Sequence, residues 1–266
     1  RELKNISVND VRTFYKKTHS LQNVRFAVAG NLSGRQDDVV STIEKKLSLP
    51  DGDRIELPAT VLRKQTKPLY VENKTVESLY ISFSMLIPRR VSEPEVDALN
   101  AVNNILTATM DSLILGEIRE KGLAYYIWSN GSRGHDYSVW DFDFQVSPEN
   151  AKKAIKVIVK HLKAVLAGGV TPDLLKTSKN FALGGFQMGA QTVGSILNGY
   201  SYEYALTGDV MDYYRVPERI KGVTTKRVTA IAQEFHSEAL WDFGVLGNCG
   251  QTFVNELYEE LAKLWS

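Results

Sequence analysis

The chain has 266 residues, 43% hydrophobic and 24% charged, enough to bury a full-sized core and neither disordered nor fibrous in composition. Lys and Arg total 32 against 31 for Asp and Glu, and a formal charge of +1 gives no strong field to attract nucleic acid or an anionic membrane. One cysteine, Cys249, excludes an intramolecular disulfide and a thiolate metal cluster, and no apolar run approaches the roughly 18 residues of a membrane span. The cysteine content fits a cytoplasmic compartment, with periplasmic and organellar ones left open. A chain beginning at Arg1 without Met is expected to be a processed protein or a fragment.

From Ser7 to His19, Val8, Val11, Phe14 and Tyr15 recur at helical steps, with Asp10 in the first turn, so an amphipathic helix is expected. Val24–Ala29 is a β-favouring run that ends at Gly30, and Gly34–Leu47 reads as a second helix. Pro50–Pro58, holding Asp51, Gly52, Asp53 and Arg54, is the best candidate linker. Strands are expected over Pro68–Glu72 and Ser78–Pro88; in the latter Leu79, Ile81, Phe83 and Met85 share one face. Glu93–Leu115 reads as one long helix. The strand runs Ala124–Ser129 and Tyr137–Val146 follow, the second alternating Trp140, Phe142, Phe144 and Val146 with Val139, Asp141, Asp143 and Gln145. Helices are expected over Pro148–Ala167, Pro172–Gly185, Thr192–Leu206, Asp209–Ile220 and Val223–His236, then a strand over Leu240–Leu246 and a helix over Val254–Leu264. Strands with a block of helices between them imply an α+β domain, an antiparallel or mixed sheet with helices packed on one face.

An internal repeat organises the chain. Shifted by 217 positions, Val11–Asn31 falls on Val228–Asn248 without a gap, and seven of the 21 pairs are identical, among them His19/His236, Phe26/Phe243, Gly30/Gly247 and Asn31/Asn248. The matched units are each helix, strand, glycine turn. On this reading residues 1–50 are the tail of a preceding repeat, 51–58 a linker and 59–266 a complete second domain. A helix and strand without their own sheet leave an open edge and an uncovered apolar face, which argues for further sequence before Arg1.

Chemistry-bearing motifs are few. The histidines His19, His135, His161 and His236 are dispersed, with neither His-Glu-x-x-His nor its inverted form, so no zinc ligand helix is expected here. There is no Gly-x-Ser-x-Gly elbow and no P-loop. Asp141 and Asp143 share a strand face, a spacing open to acid–base work but more often a solvated surface. The segment from Gly116 to Tyr126 leaves a helix and enters a strand, with Arg119 and Tyr125 flanking the Gly122 turn. An arginine there can fork onto a carbonyl or carboxylate and a tyrosine can donate to an oxyanion, although a purely structural turn is the commoner outcome.

The stretch Ile-Arg-Glu-Lys-Gly-Leu-Ala-Tyr, residues 118–125, resembles the signature in the second half of the inverted-zinc, insulinase-like (M16) metallopeptidases, a family that includes mitochondrial processing peptidase and the respiratory core proteins. The helix followed by Asn-Val-Arg-Phe-Ala-Val-Ala-Gly-Asn, residues 23–31, is similar to the close of that family's first half, and the likeness covers essentially the whole chain. The resemblance implies an α+β half-domain facing a second one across a chamber. It places the zinc in the missing N-terminal half or a partner subunit, with none bound by this chain. Arg119 and Tyr125 would then hold peptide substrate. Here one residue fewer separates the lysine from the glycine, so the arginine-to-tyrosine step is six instead of seven, and Tyr126 competes for the tyrosine's role. The parent is expected to be a zinc-dependent peptidase and this chain alone to be inactive, with peptide, a zinc-bearing domain or subunit and a possible homodimer as partners. The alternative is a non-catalytic partner subunit or a structural, core-protein-like member.

Overall fold

The computed structural model describes residues 2–189, 191–210 and 212–266. The chain forms two compact units, one of Arg1–Pro58 with Met188–Tyr214 and the other of Ala59–Gln187 with Arg215–Ser266.

The larger unit is built on a five-stranded mixed sheet: β1 (Leu69–Glu72), β2 (Leu79–Ile87), β3 (Ala124–Arg133), β4 (Ser138–Val146) and β5 (Leu240–Gly247), in the order β1-β5-β2-β4-β3. β1 is parallel to β5, and the other neighbours are antiparallel. Alternation decides the faces. Leu79, Ile81, Phe83, Met85 and Ile87 of β2 are buried together with Trp140, Phe142, Phe144 and Val146 of β4 and Trp241, Phe243 and Val245 of β5. Phe83 and Phe142, opposite one another, stack with ring centroids 4.5 Å apart. Each such side chain contributes about 1.5–3 kcal/mol on burial, so a one-residue slip that turned this set outward would cost most of the core.

Helices cover this face. α3 (Glu93–Asn103), α4 (Leu113–Glu120), α5 (Pro148–Leu166), α9 (Thr225–Ser237) and α10 (Gln251–Ala262) contribute Leu99, Val102, Ile114, Ile118, Ile155, Ile158, Leu162, Phe235 and Leu257 to one continuous cluster. Ser92 and Glu95 form a capping box at the start of α3. Arg89, at the end of β2, donates to both Glu95 and Glu234, tying α3 and α9 to the sheet. In α8 (Val216–Gly222) Arg219 pairs with Glu93 and Asp97 of α3.

The helix expected over Glu93–Leu115 is interrupted. Asn104–Ala108 widens into a π-turn, and α4 restarts at Leu113. The break serves a buried polar knot: Asn103 Oδ1 accepts from Trp140 Nε1 (2.7 Å) and Ser129 Oγ (2.8 Å), and Thr107 Oγ1 accepts from the Ser129 amide (3.2 Å). The helix expected over Asp209–Ile220 is likewise shorter, a 3₁₀ turn at Tyr213–Arg215 followed by α8.

The smaller unit holds a 3₁₀ turn (Glu2–Asn5), α1 (Val8–Thr18), α2 (Gln36–Lys46) and α7 (Val193–Thr207). α6 (Pro172–Gly189) belongs to the larger unit except for its last two residues. Val24–Ala29, expected as a strand, has no strand partner and is not one. Its Arg25 donates to the carbonyls of Tyr204 and Ala205, with the guanidinium over the Tyr204 ring. Among the described residues no hydrophobic side chain of this unit is buried. No helix of the described residues is long and apolar enough to cross a membrane.

Candidate functional site

α4 ends in a tight reversal. Gly122 takes φ +60°, its N–H bonds to the Arg119 carbonyl (3.1 Å), and the Leu123 N–H reaches back to Ile118 (2.9 Å). This is a Schellman stop: glycine adopts the left-handed turn without Cβ strain, and Leu123 is buried behind it. Ile114 and Ile118 lie in the core, so Arg119 in the last turn is left at the surface beside the exit into β3.

β3 opens with an irregularity. Ala124 pairs with Val146 and Tyr126 with Gln145, so Tyr125 is the extra residue of a β-bulge, 83% exposed. A bulge re-aims the side chain it carries. Arg119 Nη1 donates to the Tyr125 carbonyl (3.2 Å), and its guanidinium lies 4.6 Å from the centroid of the Tyr125 ring. The residues at either side of the Gly122 turn are thus brought together. Tyr126 goes elsewhere, to the face of the sheet that the core helices do not cover. Burial raises its phenol pKa, and the nearby Asp143 carboxylate raises it further.

That face carries a concavity of about 420 Å³ lined by Leu69, Val71, Tyr80, Tyr126, Asp143 and Leu246 among others. Alongside, Ser84 of β2 lies opposite both Asp141 of β4 and Asp242 of β5 in the sheet register. Burial pushes the pKa of Asp141 and Asp242 up, opposed by Ser84, and neighbouring carboxylates add to the rise at Asp141. The shared face of Asp141 and Asp143 was legible in the alternation of β4. Asp242, Tyr80 and the apolar rim were not singled out; the complementary positions of β2 and β5 carried that signal.

Glu117, two residues before Arg119 and so on another side of the helix, faces α5 instead. Its carboxylate meets Lys121, Lys160 and His161, each at 2.6 Å, and the lysine hydrogen bonds lower its pKa to about 2. The four histidines are scattered: His19 stacks on Tyr15, His236 bonds to the Leu264 carbonyl, His135 neighbours Asp136, and His161 has Glu117. Among the described residues no three His, Cys, Asp or Glu side chains are grouped to hold a metal ion. Glu117, already held by two lysines, is a poor ligand, so the Glu117–His161 pair does not fit a zinc site.

Residues 5–181 match the family model described as the peptidase M16 inactive domain, and the chain belongs to that family. It is 25% identical over 209 residues to the "Non-peptidase homolog YmxG" of Helicobacter pylori, covering 76% of this chain and 47% of that protein. The fold is similar to a protease from Helicobacter pylori (TM-score 0.72, 18% identity, 92% of this chain and 60% of that one). It is also similar to a peptidase M16 inactive domain from Pseudomonas fluorescens (0.76, 19%, 92% and 58%) and a chain of the Candida albicans complex III2 (0.79, 12%, 97% and 63%). The chain thus spans about half the length of the curated relative. Its mixed sheet with helices on one face is the insulinase-like half-domain, and the domain it matches is the family's inactive one.

Proposed function

We propose that this chain is the metal-free half of a zinc-dependent peptidase, which shapes the chamber and holds peptide for hydrolysis at a zinc site in a preceding half or a partner subunit. The observation that carries this reading is the pairing of Arg119 with Tyr125 at the exit from α4, on a bulge that turns the tyrosine outward. Arg119 spends one donor on a neighbouring carbonyl at 3.2 Å in an exposed setting, a bond that a substrate carbonyl or terminal carboxylate can replace. Tyr125 is the tyrosine of this pair; Tyr126 lines the open sheet face as a second contact. The zinc, when bound by the other half, supplies the activated water. A cytoplasmic location suits the chain's single cysteine.

In the complete enzyme Arg119→Ala should reduce kcat/KM for peptides by about 30- to 1000-fold, the equivalent of roughly 2–4 kcal/mol for a charge-assisted hydrogen bond made in the transition state. Zinc content and thermal midpoint should barely change. Unchanged kcat/KM retires the substrate role.

A second reading is favoured by the relative described as a non-peptidase homolog. In it the chain is part of a non-catalytic subunit or a structural member. An inverted zinc motif, His-x-x-Glu-His, in the preceding half of the same polypeptide supports the peptidase; the motif in a neighbouring gene supports the subunit, and absence from both supports the structural role.

A further inference from the structure

On the helical layer of the larger unit, α4 and α5 border a groove of about 300 Å³. Four lysines line it: Lys121 at the C-cap of α4, and Lys153, Lys156 and Lys160 of α5, all exposed. The three on α5 are three and four residues apart, so they share one stripe, about 10 Å long at the helical rise. Beneath them the nearly buried Leu123 and Val157 form an apolar floor. Like charges at such spacings weaken a helix. The whole chain has a formal charge of only +1, so four lysines against one glutamate is a local concentration that its composition does not impose. Glu117 is that one acid, and it shows which chemical group the cluster accepts. Its carboxylate enters from α4 and meets Lys121, Lys160 and His161 at 2.6 Å each, which holds its pKa at about 2. Of the α5 lysines, Lys152 pairs with Glu256 and Lys160 with Glu117. Lys153 and Lys156 make no salt bridge among the described residues, although Glu149 lies one turn before Lys153.

We propose that this groove docks an acidic segment of a partner protein, whose carboxylates meet Lys153 and Lys156 while an apolar side chain between them covers Leu123 and Val157. Charge complementarity chooses the occupant. A carboxylate is the group that the same cluster already takes from Glu117. The cations are all lysines, point charges without the planar fork that grips a phosphate at two oxygens. No aromatic side chain lines the groove, among the described residues, for a base to stack on. A duplex or an anionic membrane draws on positive charge spread well beyond one stripe, and the chain's near-neutral balance does not supply it. An acidic segment with an apolar residue among its carboxylates fits both the charged rim and the floor. The groove is built by the helices that cover the core face of the sheet, so the inference rests neither on Arg119 nor on the peptidase reading.

Fluorescence anisotropy on the 266-residue chain tests it. The probe is a labelled peptide of repeating Glu-Glu-Leu, about twelve residues long, and its Gln-Gln-Leu counterpart is the control. The acidic peptide should bind, more weakly as salt rises, and the neutral one should not. Lys153→Gln combined with Lys156→Gln should weaken binding by about 10-fold or more. That variant should melt no lower than the parent, because fewer like charges then share the stripe. Glu117→Gln removes the internal carboxylate and frees Lys121 and Lys160, so it should tighten binding by about threefold or more even though it costs stability. Lys45→Gln combined with Lys46→Gln, an equal loss of charge on α2, should leave the affinity unchanged. Failure of the acidic peptide to bind overturns the proposal, as does equal binding of the neutral one. So does an affinity unmoved by the change at 153 and 156, equally reduced by the α2 pair, or not raised by Glu117→Gln. Binding of a short DNA duplex or of phosphatidylserine vesicles as tightly as the peptide, through the same lysines, assigns the groove to nucleic acid or membrane and overturns it as well.

Discussion

Glu117 and Asp141 both sit on ordered elements, yet their surroundings push their proton affinities in opposite directions. Lys121, Lys160 and His161 hold Glu117 at about 2, below its ordinary 4.5, so the folded form prefers the carboxylate. The stabilisation is complete above about pH 4.5 and is lost as the pH falls towards 2. Burial raises Asp141 above its ordinary 3.8, with Asp143 and Asp242 adding to the rise, so the unfolded chain ionises first and the site destabilises the fold as the pH climbs past that value. Thermal melts of two variants between pH 2 and 7 separate the two cases. Glu117→Gln should lower the midpoint at pH 7, by an amount equivalent to about 1 kcal/mol since its lysine partners are solvated, and have little effect at pH 2. Asp141→Asn should raise the midpoint at pH 7 and leave it unchanged at the acid end. Effects of the same sign, or independent of pH, would show that these contacts are not made in solution. The sequence displayed Asp141 as half of an acidic pair on one strand face, but not what buries it, because that depends on which strands lie beside β4.

Among elements, those whose pattern is local were legible from residues alone. The alternation in β2 and β4 placed Phe83 and Phe142 inward, and they are opposite each other in the core. The helical periods of α5 and α9 also match their buried stripes. Three features depended on partners distant in sequence. The bulge at Tyr125 needs the register of β3 against β4; the family resemblance, with its one-residue difference in spacing, left it only as a choice between Tyr125 and Tyr126. Val24–Ala29 has strand propensity, but propensity without a neighbouring strand makes no ladder. The π-turn at Asn104–Ala108 interrupts a segment whose apolar period is continuous, and its cause is the Asn103 side chain, buried where it can serve both Trp140 and Ser129. Asn103→Ala removes the acceptor of two buried donors, and each donor left unpaired costs about 1–3 kcal/mol. A loss of roughly 3 kcal/mol in unfolding free energy is expected, with the break between α3 and α4 loosened, whereas Asn100→Ala on the exposed side of α3 should cost under about 0.5 kcal/mol. Equal losses at the two positions in denaturant titrations would show that the polar knot does not hold the turn.

On the scale of the whole chain, stability is distributed very unevenly. Every residue of the hydrophobic cluster falls between Leu79 and Leu264 within the larger unit, while α1 and α2 have no buried residue at all. Helices of 11 residues are marginal in water by themselves, because nucleation is costly and packing normally supplies the difference. The capping box of Ser7 and Asp10 and the acidic first turn of α2 assist the helix starts by only about 1 kcal/mol or less each. The 266-residue chain should therefore open in two stages. Amides of α1 and α2 should exchange within seconds to minutes through local opening, whereas those of β2, β4 and α5 should exchange only through unfolding of the larger unit. Limited proteolysis should cut first within residues 1–58 and leave a resistant product that begins near Ala59, where the first unit's N-terminal segment ends. Asn103→Ala should accelerate exchange in β2 and β4 without changing that of α1, which has no buried residue of its own. A single cooperative transition, with α1 as slow to exchange as β4, would mean that the smaller unit draws its stability from the larger one's core.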